Sequence, residues 1–356
     1  MLKIETLTDG GQEPDDIASK IIGFIAGAQR SLDCALYDIR LPGEIGDRVA
    51  QAFLDAQARG VAVRIVFNLD DVSRVPVPPP PSTKPEILEA LAIPTMPIPG
   101  EPDLMHHKYV VRDGSAVWTG SMNWTLDSWT HQENLIVIAE SAELAASYTR
   151  NFDELWTKQR VADTGSWNAP VTTVGTAKVR PWFTPGRGPE LSQRIADAIG
   201  AATRRIRIAS PVLTAGPILG TLAEVCAERR VDVLGVCDWT QLRTVFGQWQ
   251  KNPASAWKMP LLAEVLDGAN FNGKRSTPYE PDSLHDFMHA KVTVCDDTVF
   301  AGSFNLSRSG ERNAENVLEI TDRALADQMA GFIESIRDLY EDVVPPEFAT
   351  RPQRRP

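Results

Sequence analysis

Apolar and polar positions along the chain follow a helix-and-strand order that occurs twice. The pattern predicts, in chain order, helix, strand, helix and strand over residues 21–28, 31–37, 44–58 and 61–67, and again over 191–202, 205–209, 218–228 and 231–236. Such alternation is typical of an α/β fold. We therefore expect two similar lobes of mixed, mainly parallel sheets flanked by helices, related by a pseudo-twofold axis, with the active site between the lobes.

Changes in composition divide the chain further. We expect an N-terminal lobe over residues 1–160, a linker rich in Gly, Ser, Asn and Pro over 161–181, a C-terminal lobe over 182–345 and a disordered tail over 346–356. The proline run at 75–81 predicts an extended loop. That loop either rims the cleft between the lobes or is a stiff connector to a following helix.

One set of chemically active residue types occurs once in each half. The first copy comprises His106, Lys108, Asp113, a Gly-Ser-x-Asn element with Ser121 and Asn123, and Glu133. The second copy comprises His289, Lys291, Asp296, Ser303, Asn305 and Glu315. In both copies Lys follows His by two positions, Asp follows by seven, and Glu lies ten beyond Asn. Two matched sets in opposite halves are a far stronger signal than a lone His-x-Lys.

Each histidine lies on a predicted strand that turns back on itself. Residues 105–111 and 116–119 flank Asp113-Gly114, and 287–295 and 299–301 flank Asp296-Asp297. Side chains two positions apart point to the same face of a strand. One imidazole and one ammonium group from each half are therefore expected to project into a shared cleft.

The repeated motif resembles that of the phospholipase D superfamily, whose members carry His-x-Lys, four residues, Asp, and then Gly-Ser-x-Asn. The resemblance spans nearly the whole chain and implies a phosphodiesterase. It implies that one imidazole attacks phosphorus and forms a phosphohistidine, while the other protonates the leaving oxygen and then activates water or an alcohol. By analogy with two-copy relatives, His106 is the nucleophile and His289 the acid.

The resemblance also assigns the remaining motif residues. Phosphate oxygens would be held by lysine, asparagine and serine side chains, namely those of Lys108, Lys291, Asn123, Asn305, Ser121 and Ser303. Glu133 and Glu315 would bond the far ring nitrogens of the histidines, whereas Asp113 and Asp296 occupy turns where a structural role is at least as plausible. No metal and no cofactor are expected, because fixed lysine charges would do what metal ions do elsewhere.

Composition bounds the cellular context. The chain has 356 residues, 43% hydrophobic, without an evident signal peptide or transmembrane run, so we expect a cytoplasmic monomer. The cysteines Cys34, Cys226, Cys237 and Cys295 lie singly in apolar segments, which predicts buried, reduced thiols.

The substrate class remains open at this level. A phospholipid such as phosphatidylcholine, giving phosphatidic acid, is favoured because the formal charge of −11 argues against a nucleic-acid-binding face. A metal-independent nuclease is the alternative, since a basic groove could form locally from Arg30, Arg40, Arg59 and Arg64 or from Arg204, Arg205 and Arg207. A catalytically silent binding or scaffold protein is a third reading, and the two intact motif copies argue against it.

Several neighbours of the motifs have weaker assignments. His107, His131 and His285 are candidates for substrate contact, and they could equally be polar neighbours without a role. Trp124 and Trp129 could border a substrate, but core packing is the favoured role. Phe304 is expected to point into its own lobe. Gly120 and Gly302 are expected to permit close backbone packing.

Overall fold

The computed structural model describes residues 1–69, 88, 91–280 and 283–350, and it folds them around two large mixed sheets. The first lobe contains, in order, β1 (Leu2–Leu7), α1 (Pro14–Ala26), β2 (Ser31–Leu36), β3 (Ile39–Arg40), α2 (Gly43–Ala58), β4 (Ala62–Leu69), β5 (Thr95–Pro99), β6 (Lys108–Arg112), β7 (Ala116–Gly120), β8 (Trp124–Thr125), α3 (Leu126–Thr130), β9 (Asn134–Glu140) and α4 (Ala142–Lys158). Its seven-stranded sheet has the order β1-β9-β7-β6-β2-β4-β5.

The second lobe repeats this plan with insertions. It contains β10 (Thr172–Val174), β11 (Ala177–Phe183), α5 (Gly188–Ala201), β12 (Arg205–Ala209), α6 (Gly216–Glu228), β13 (Asp232–Asp238), α7 (Trp239–Gln250), α8 (Pro253–Ala256), α9 (Lys258–Gly268), β14 (Phe271–Lys274), β15 (Val292–Cys295), β16 (Thr298–Gly302), α10 (Arg308–Arg312), β17 (Asn316–Thr321), α11 (Arg323–Arg337), β18 (Glu341–Asp342) and α12 (Glu347–Thr350). Its nine-stranded sheet has the order β10-β11-β17-β16-β15-β12-β13-β14-β18.

The α/β class and the two-lobed repeat are confirmed, but the expectation of mainly parallel sheets is wrong. Parallel pairing is found between β2, β4 and β5 and between β12, β13 and β14. The other neighbours in the two sheets are antiparallel. The reason is the motif hairpin: β6–β7 and β15–β16 are joined by short turns, and only antiparallel strands can be joined in that way.

The two lobes share one central core. Helices α4 and α11 begin at the side-chain caps Ser141 and Asp322, which accept hydrogen bonds from the backbone N–H of Leu144 and Leu325. Their apolar faces pack together with residues from both sheets, among them Tyr148, Phe152, Met329 and Ile333. Because this cluster spans the lobe boundary, the mutual placement of the two motif copies is fixed by buried apolar surface.

Two expected boundaries differ from the structure. Residues 172–174 and 177–181, expected in the linker, form β10 and most of β11, which pair with the second sheet. Residues 347–350, expected in the disordered tail, form α12, and Ala349 is buried there. The two strands are short, and Pro170 and Gly175 beside them gave the stretch the composition of a loop. The proline run at 75–81 and residues 351–356 lie outside the described residues.

Three further expectations concern single residues. The four cysteines are free and buried. Trp124 and Trp129 pack in the core of the first lobe, and Phe304 packs in the core of its own lobe, as expected. Within the described ranges, no helix combines the length and the apolar composition needed to cross a membrane.

Candidate active site

The two motif histidines lie where the lobes meet, just before β6 and β15. Each of their backbone N–H groups donates a hydrogen bond to the opposite lobe, His106 to the carbonyl of Ala314 at 2.9 Å and His289 to the carbonyl of Glu133 at 3.2 Å. The preceding residues are also held in matching ways. The N–H of Met105 donates to Asn68 Oδ1 at 2.9 Å, and that of Met288 donates to Asp238 Oδ2 at 3.1 Å. The pseudo-twofold repeat therefore sets both histidines at one boundary.

Both histidines line a single cleft of about 980 Å³, together with Asn123 and Asn305. The Oδ1 atom of Asn123 is buried and has no hydrogen-bond partner among the described residues. The cleft thus brings together four of the side chains that the repeat singles out, two from each lobe.

The lysines of both copies lie beneath the cleft and are almost fully buried. Nζ of Lys108 donates to the carbonyl of His106, and Nζ of Lys291 to the carbonyl of His289, both at 2.7 Å. Lys108 also lies over the ring of Tyr37, 4.7 Å from its centre, and that ring meets His106 edge-on. Each ammonium group has three donors, so two remain on each for an anion.

Burial dominates the electrostatics of the site. Burial lowers the pKa of Lys108 to about 7, although the negative charges of Glu315 and Asp38 act in the opposite direction. Burial also holds the pKa of Lys291 well below its usual value, and the charge of Lys108 lowers it further. Burial, followed by the two lysine charges, also holds the pKa values of His106 and His289 well below 6.5. Burial therefore disfavours positive charge on these four side chains, and a bound anion would raise their pKa values.

Glu315 holds His106 from the opposite lobe. Its Oε2 atom lies 2.8 Å from His106 Nδ1, and burial raises its pKa to about 8 against the opposing charge of Lys108. The carboxyl and imidazole groups are both buried and share the proton that lies between Oε2 and Nδ1, so the two groups titrate as a pair. With Nδ1 occupied, Nε2 is the ring nitrogen that faces the cleft.

Glu133 does not take the equivalent place on His289, contrary to the expectation. Its carboxylate lies 3.2 Å from Nζ of Lys274 and accepts a hydrogen bond from the hydroxyl of Tyr340. The reason is the positive charge of Lys274, which is buried between the carboxylates of Glu133, at 3.2 Å, and Asp9, at 3.0 Å. His289 Nδ1 instead lies 3.1 Å from Oδ1 of Asn134, a residue that the sequence reasoning missed.

The signal for Asn134 was present in the sequence. An asparagine directly follows the motif glutamate in both copies, as Asn134 and as Asn316. In the second copy, however, Asn316 faces His107 at 3.2 Å and accepts hydrogen bonds from Thr119 and Tyr148. The shared Glu-Asn pair could have been noticed, but its opposite use in the two copies depends on partners distant in sequence.

The motif aspartates lie in the hairpin turns, outside the cleft. Asp113 accepts hydrogen bonds from the backbone N–H groups of residues 29–31, and Asp296 from those of residues 203–205. These hydrogen bonds lower the pKa of both carboxyl groups against a desolvation effect of the opposite sign. Both residues have positive φ, of 57° and 52°, a region that aspartate tolerates better than most residues. The structure therefore gives them a role in the turns.

The serines of the motif are turned away from the expected phosphate position. Ser121 Oγ donates to Asn134 Oδ1 at 2.7 Å and accepts from the N–H of Leu135, whereas Ser303 Oγ accepts from the N–H of Asn316 at 3.1 Å. Both hydroxyls are completely buried. Their hydrogen bonds join the motif loop to the strand that carries the motif glutamate.

The motif glycines allow the same close approach. A Cβ atom on Gly120 would lie 2.1 Å from the carbonyl oxygen of Leu135, and one on Gly302 would lie 2.1 Å from that of Asn316. Such distances are far inside van der Waals contact, so only glycine fits at either position.

The three other histidines lie in three different environments: the core, the surface and the cleft. His107 is fully buried against Tyr109 and Phe183, so it is a core residue and cannot touch a substrate. His131 lies 3.3 Å from Asp9 at the surface. His285 lines the cleft, where its ring stacks on that of Phe287 and lies at a tilt to that of Tyr279.

Most of the arginines considered for a basic groove are neutralised by carboxylates. Arg40 lines the cleft but is paired with Asp38, and Arg64 is paired with Asp33 and Asp153. The others bond carboxylates or carbonyl groups: Arg204 to Asp297, Arg205 to Asp327, Arg207 to Asp232 and Glu334, Arg30 to the carbonyl of Asp113, and Arg59 to that of Ala26. In the described part of the chain, no three His, Cys, Asp or Glu side chains converge as metal ligands would.

Comparison with known proteins identifies the family. The model of the family described as cardiolipin synthase, phospholipase D-like domain, matches residues 21–156 and 195–337, well over half of the chain. The chain therefore belongs to the phospholipase D superfamily. It is 29% identical over 142 residues to the mitochondrial cardiolipin hydrolase of Xenopus laevis, covering 40% of this chain and 62% of that protein. It is 31% identical over 104 residues to a phospholipase D of Rickettsia bellii, covering 29% of this chain and 48% of that protein.

These alignments span less than two thirds of the relatives they match. Solved structures extend the likeness to the whole fold. The phosphatidylserine synthase of Haemophilus influenzae Rd KW20 has a TM-score of 0.65 at 15% identity, covering 96% of this chain and 87% of that one. The polyphosphate kinase of Porphyromonas gingivalis has a TM-score of 0.61 at 10% identity, covering 94% of this chain and 46% of that one. At these identities the likeness concerns the fold alone.

Proposed function

We propose that this protein is a metal-independent phosphodiesterase of the phospholipase D type. The observation that carries the proposal is the convergence of His106 and His289 on one cleft, each above its own lysine. A phosphodiester is hard to cleave because its anionic oxygens repel nucleophiles and its leaving alkoxide is poor. Two imidazoles and two ammonium groups, Lys108 and Lys291, supply a nucleophile, an acid and charge neutralisation in one site.

In the first step, Nε2 of His106 attacks phosphorus. The bond between phosphorus and the leaving oxygen breaks, and a proton passes from Nε2 of His289 to that oxygen. Glu315 favours this direction because its hydrogen bond orients the His106 ring and balances the positive charge that the ring gains. The negative charge of the bound phosphate raises the pKa of His289, so substrate binding favours the protonated form that acts as the acid.

In the second step, the same groups work in reverse. Neutral His289 removes a proton from water, the resulting hydroxide attacks phosphorus, and the bond between phosphorus and His106 breaks. An alcohol in place of water would give headgroup exchange. Lys108, Lys291, Asn123 and Asn305 hold the non-bridging oxygens in both steps, which stabilises the pentacoordinate transition state.

We further propose that the substrate is a phospholipid such as phosphatidylcholine, which would give phosphatidic acid. Apolar side chains of the cleft, among them Leu104, Val212, Val245 and Phe287, would contact glycerol and acyl groups. Neutralised arginines offer little attraction for a polyanionic backbone. Relatives named cardiolipin hydrolase and phospholipase D support the same class. Because one chain supplies both motif copies, a monomer would suffice for activity.

The proposal is tested by assaying wild type, His106→Ala and His289→Ala in EDTA. The substrates are mixed micelles of phosphatidylcholine or cardiolipin, and single-stranded and duplex DNA. We expect lipid turnover in the wild type and its loss in both variants. If the wild type instead cleaves DNA in EDTA and both variants lose that activity, the substrate is a nucleic acid rather than a lipid. Activity that survives both substitutions would refute the shared site.

A further inference from the structure

The two Glu-Asn pairs of the motif copies are used in opposite ways. In the second copy the glutamate, Glu315, holds a catalytic histidine, while Asn316 bonds groups of the core. In the first copy Asn134 lies on the catalytic histidine, while Glu133 bonds Lys274 and Tyr340. The pseudo-twofold site is therefore asymmetric around its two imidazoles.

The contacts of Asn134 fix the proton position on His289. Its Nδ2 atom donates to the carbonyl of Ser128 at 3.0 Å, which turns Oδ1 toward Ser121 and His289. An amide oxygen only accepts hydrogen bonds, so His289 Nδ1 must carry a proton. Nε2 is then the atom that gains or loses the proton in the cleft.

The origin of the asymmetry is a single residue in β14. In the first lobe Asn68 pairs with Ile98 in the sheet register, and in the second lobe Asp238 pairs with Lys274. These positions are equivalent, because Asn68 and Asp238 accept hydrogen bonds from the N–H groups of Met105 and Met288, the residues before the two histidines. Lys274 thus introduces a buried ammonium group where the first lobe has an apolar side chain, and this charge holds Glu133.

We propose that Asn134 is the positioning residue of His289. We further propose that Lys274 holds Glu133 away from His289, and that this difference between the lobes makes His289 the proton-transfer group and His106 the nucleophile. The role of His289 in proton transfer rests on the function proposed above, whereas the Asn134 contact and the proton on Nδ1 do not. A carboxylate would stabilise the charged imidazole strongly, but a neutral amide oxygen stabilises it weakly. His289 therefore releases its proton readily, as an acid should, while carboxylate-bound His106 is oriented for attack.

The charged groups that face His289 determine how its pKa should respond to substitutions. Lys291, Lys108 and His106 disfavour its protonation, and the carboxylate of Glu133 is directed away from it onto Lys274. A change that frees Glu133 or that places a carboxylate at position 134 is therefore expected to raise the pKa of His289.

The first test reads the imidazole directly and needs no substrate. Heteronuclear NMR of the full chain labelled with ¹⁵N-histidine, with the His289 signals identified by their absence in His289→Ala, should show the Nδ1–H tautomer. Asn134→Ala should lose that preference, whereas the matched control Asn316→Ala should keep it. An unchanged His289 tautomer in a folded Asn134→Ala protein would overturn the positioning role, whether or not the protein turns over a lipid.

The second test measures the pH profile of kcat on phosphatidylcholine or on cardiolipin, because the alkoxide leaving groups of both lipids need a proton. Lys274→Met should raise the basic limb by roughly 1 pH unit, because the freed Glu133 can stabilise protonated His289. Asn134→Ala should lower kcat by about 10- to 100-fold. Asn316→Ala should leave the limb in place. Profiles of Lys274→Met and wild type that coincide would contradict the role of Lys274, and absence of turnover in the wild type would refute the proposed function instead.

Discussion

Glu315 reaches across the lobe boundary to His106, with its Oε2 atom 2.8 Å from the imidazole Nδ1. The histidine comes from the first motif copy and the carboxyl group from the second. Neither lobe therefore contains a complete nucleophile with its orienting partner, and the central core shared by α4 and α11 is what holds the two together. This contact leads to the first prediction.

Glu315→Gln should lower kcat/KM by at least about 100-fold without unfolding the protein. The amide keeps the shape of the side chain but cannot balance the charge that His106 gains during attack. The measurement is steady-state kinetics together with thermal unfolding followed by circular dichroism.

Glu133→Gln is the matched control for that variant. Its carboxylate bonds Lys274 and Tyr340 rather than an imidazole. Its loss should therefore lower the free energy of unfolding, and it should reduce kcat/KM less than Glu315→Gln does. Equal losses of kcat/KM in the two variants, with stability unchanged, would show that the two glutamates act alike and that the asymmetry is absent in solution.

Binding of sulfate should weaken as the pH rises through about 7. Burial lowers the pKa of Lys108 to about 7, so the ammonium form is present below that pH and is lost above it. Sulfate stays a dianion throughout this range, and its inhibition constant should therefore rise by about tenfold per pH unit above pH 7.

Lys108→Met provides the control for the sulfate experiment. The variant should bind sulfate weakly at all pH values and show a flatter pH dependence. A dependence on pH as steep as that of the wild type would mean that another group controls anion binding.

Asp296→Asn should lower the free energy of unfolding and leave kcat/KM nearly unchanged. The carboxylate accepts hydrogen bonds from three successive backbone N–H groups, and weakening them should lower the free energy of unfolding by about 1–3 kcal/mol. We expect kcat/KM of the folded variant to stay close to that of the wild type. A loss of about 100-fold in a fully folded protein would instead indicate a role in the reaction.

Gly302→Ala should lower the free energy of unfolding by about 3 kcal/mol, because the added Cβ would lie 2.1 Å from the carbonyl oxygen of Asn316. Gly331, on an exposed face of α11, has no atom within 4 Å of the equivalent Cβ position. Gly331→Ala should therefore raise stability by up to about 1 kcal/mol. Chemical denaturation of both variants checks the difference, and equal effects would contradict the close packing.

The repeat in the sequence predicted the main features of the site. It predicted that the histidines and asparagines of both copies would meet in one cleft, because a duplicated unit implies a symmetric pair of lobes. The strand argument did not hold for the rest, since both histidines lie just before their strands and the lysines lie beneath the cleft. The repeat also indicated that Asp113 and Asp296 belong to turns. These features depend on local spacing, which a single sequence displays directly.

What the sequence could not predict depends on contacts between distant segments. Lys274 lies far from Glu133 along the chain, so nothing in the motif showed that Glu133 would face a buried ammonium group. The direction of the strands depends on how hairpins join the sheet, and β10 and β11 were concealed in a Gly- and Pro-containing stretch. His107 adjoins His106 in the sequence, which made it a candidate for substrate contact, yet its ring packs against Tyr109 and Phe183 in the core.

The most direct test of the central claim is a single-turnover reaction of His289→Ala with bis(p-nitrophenyl) phosphate. A phenolate leaves without needing a proton, so attack by His106 should still release one equivalent of p-nitrophenolate, while hydrolysis of the intermediate should stall. Mass spectrometry of the quenched protein should then place the phosphoryl adduct on His106. No burst in folded His289→Ala, or an adduct on another residue, would contradict the account.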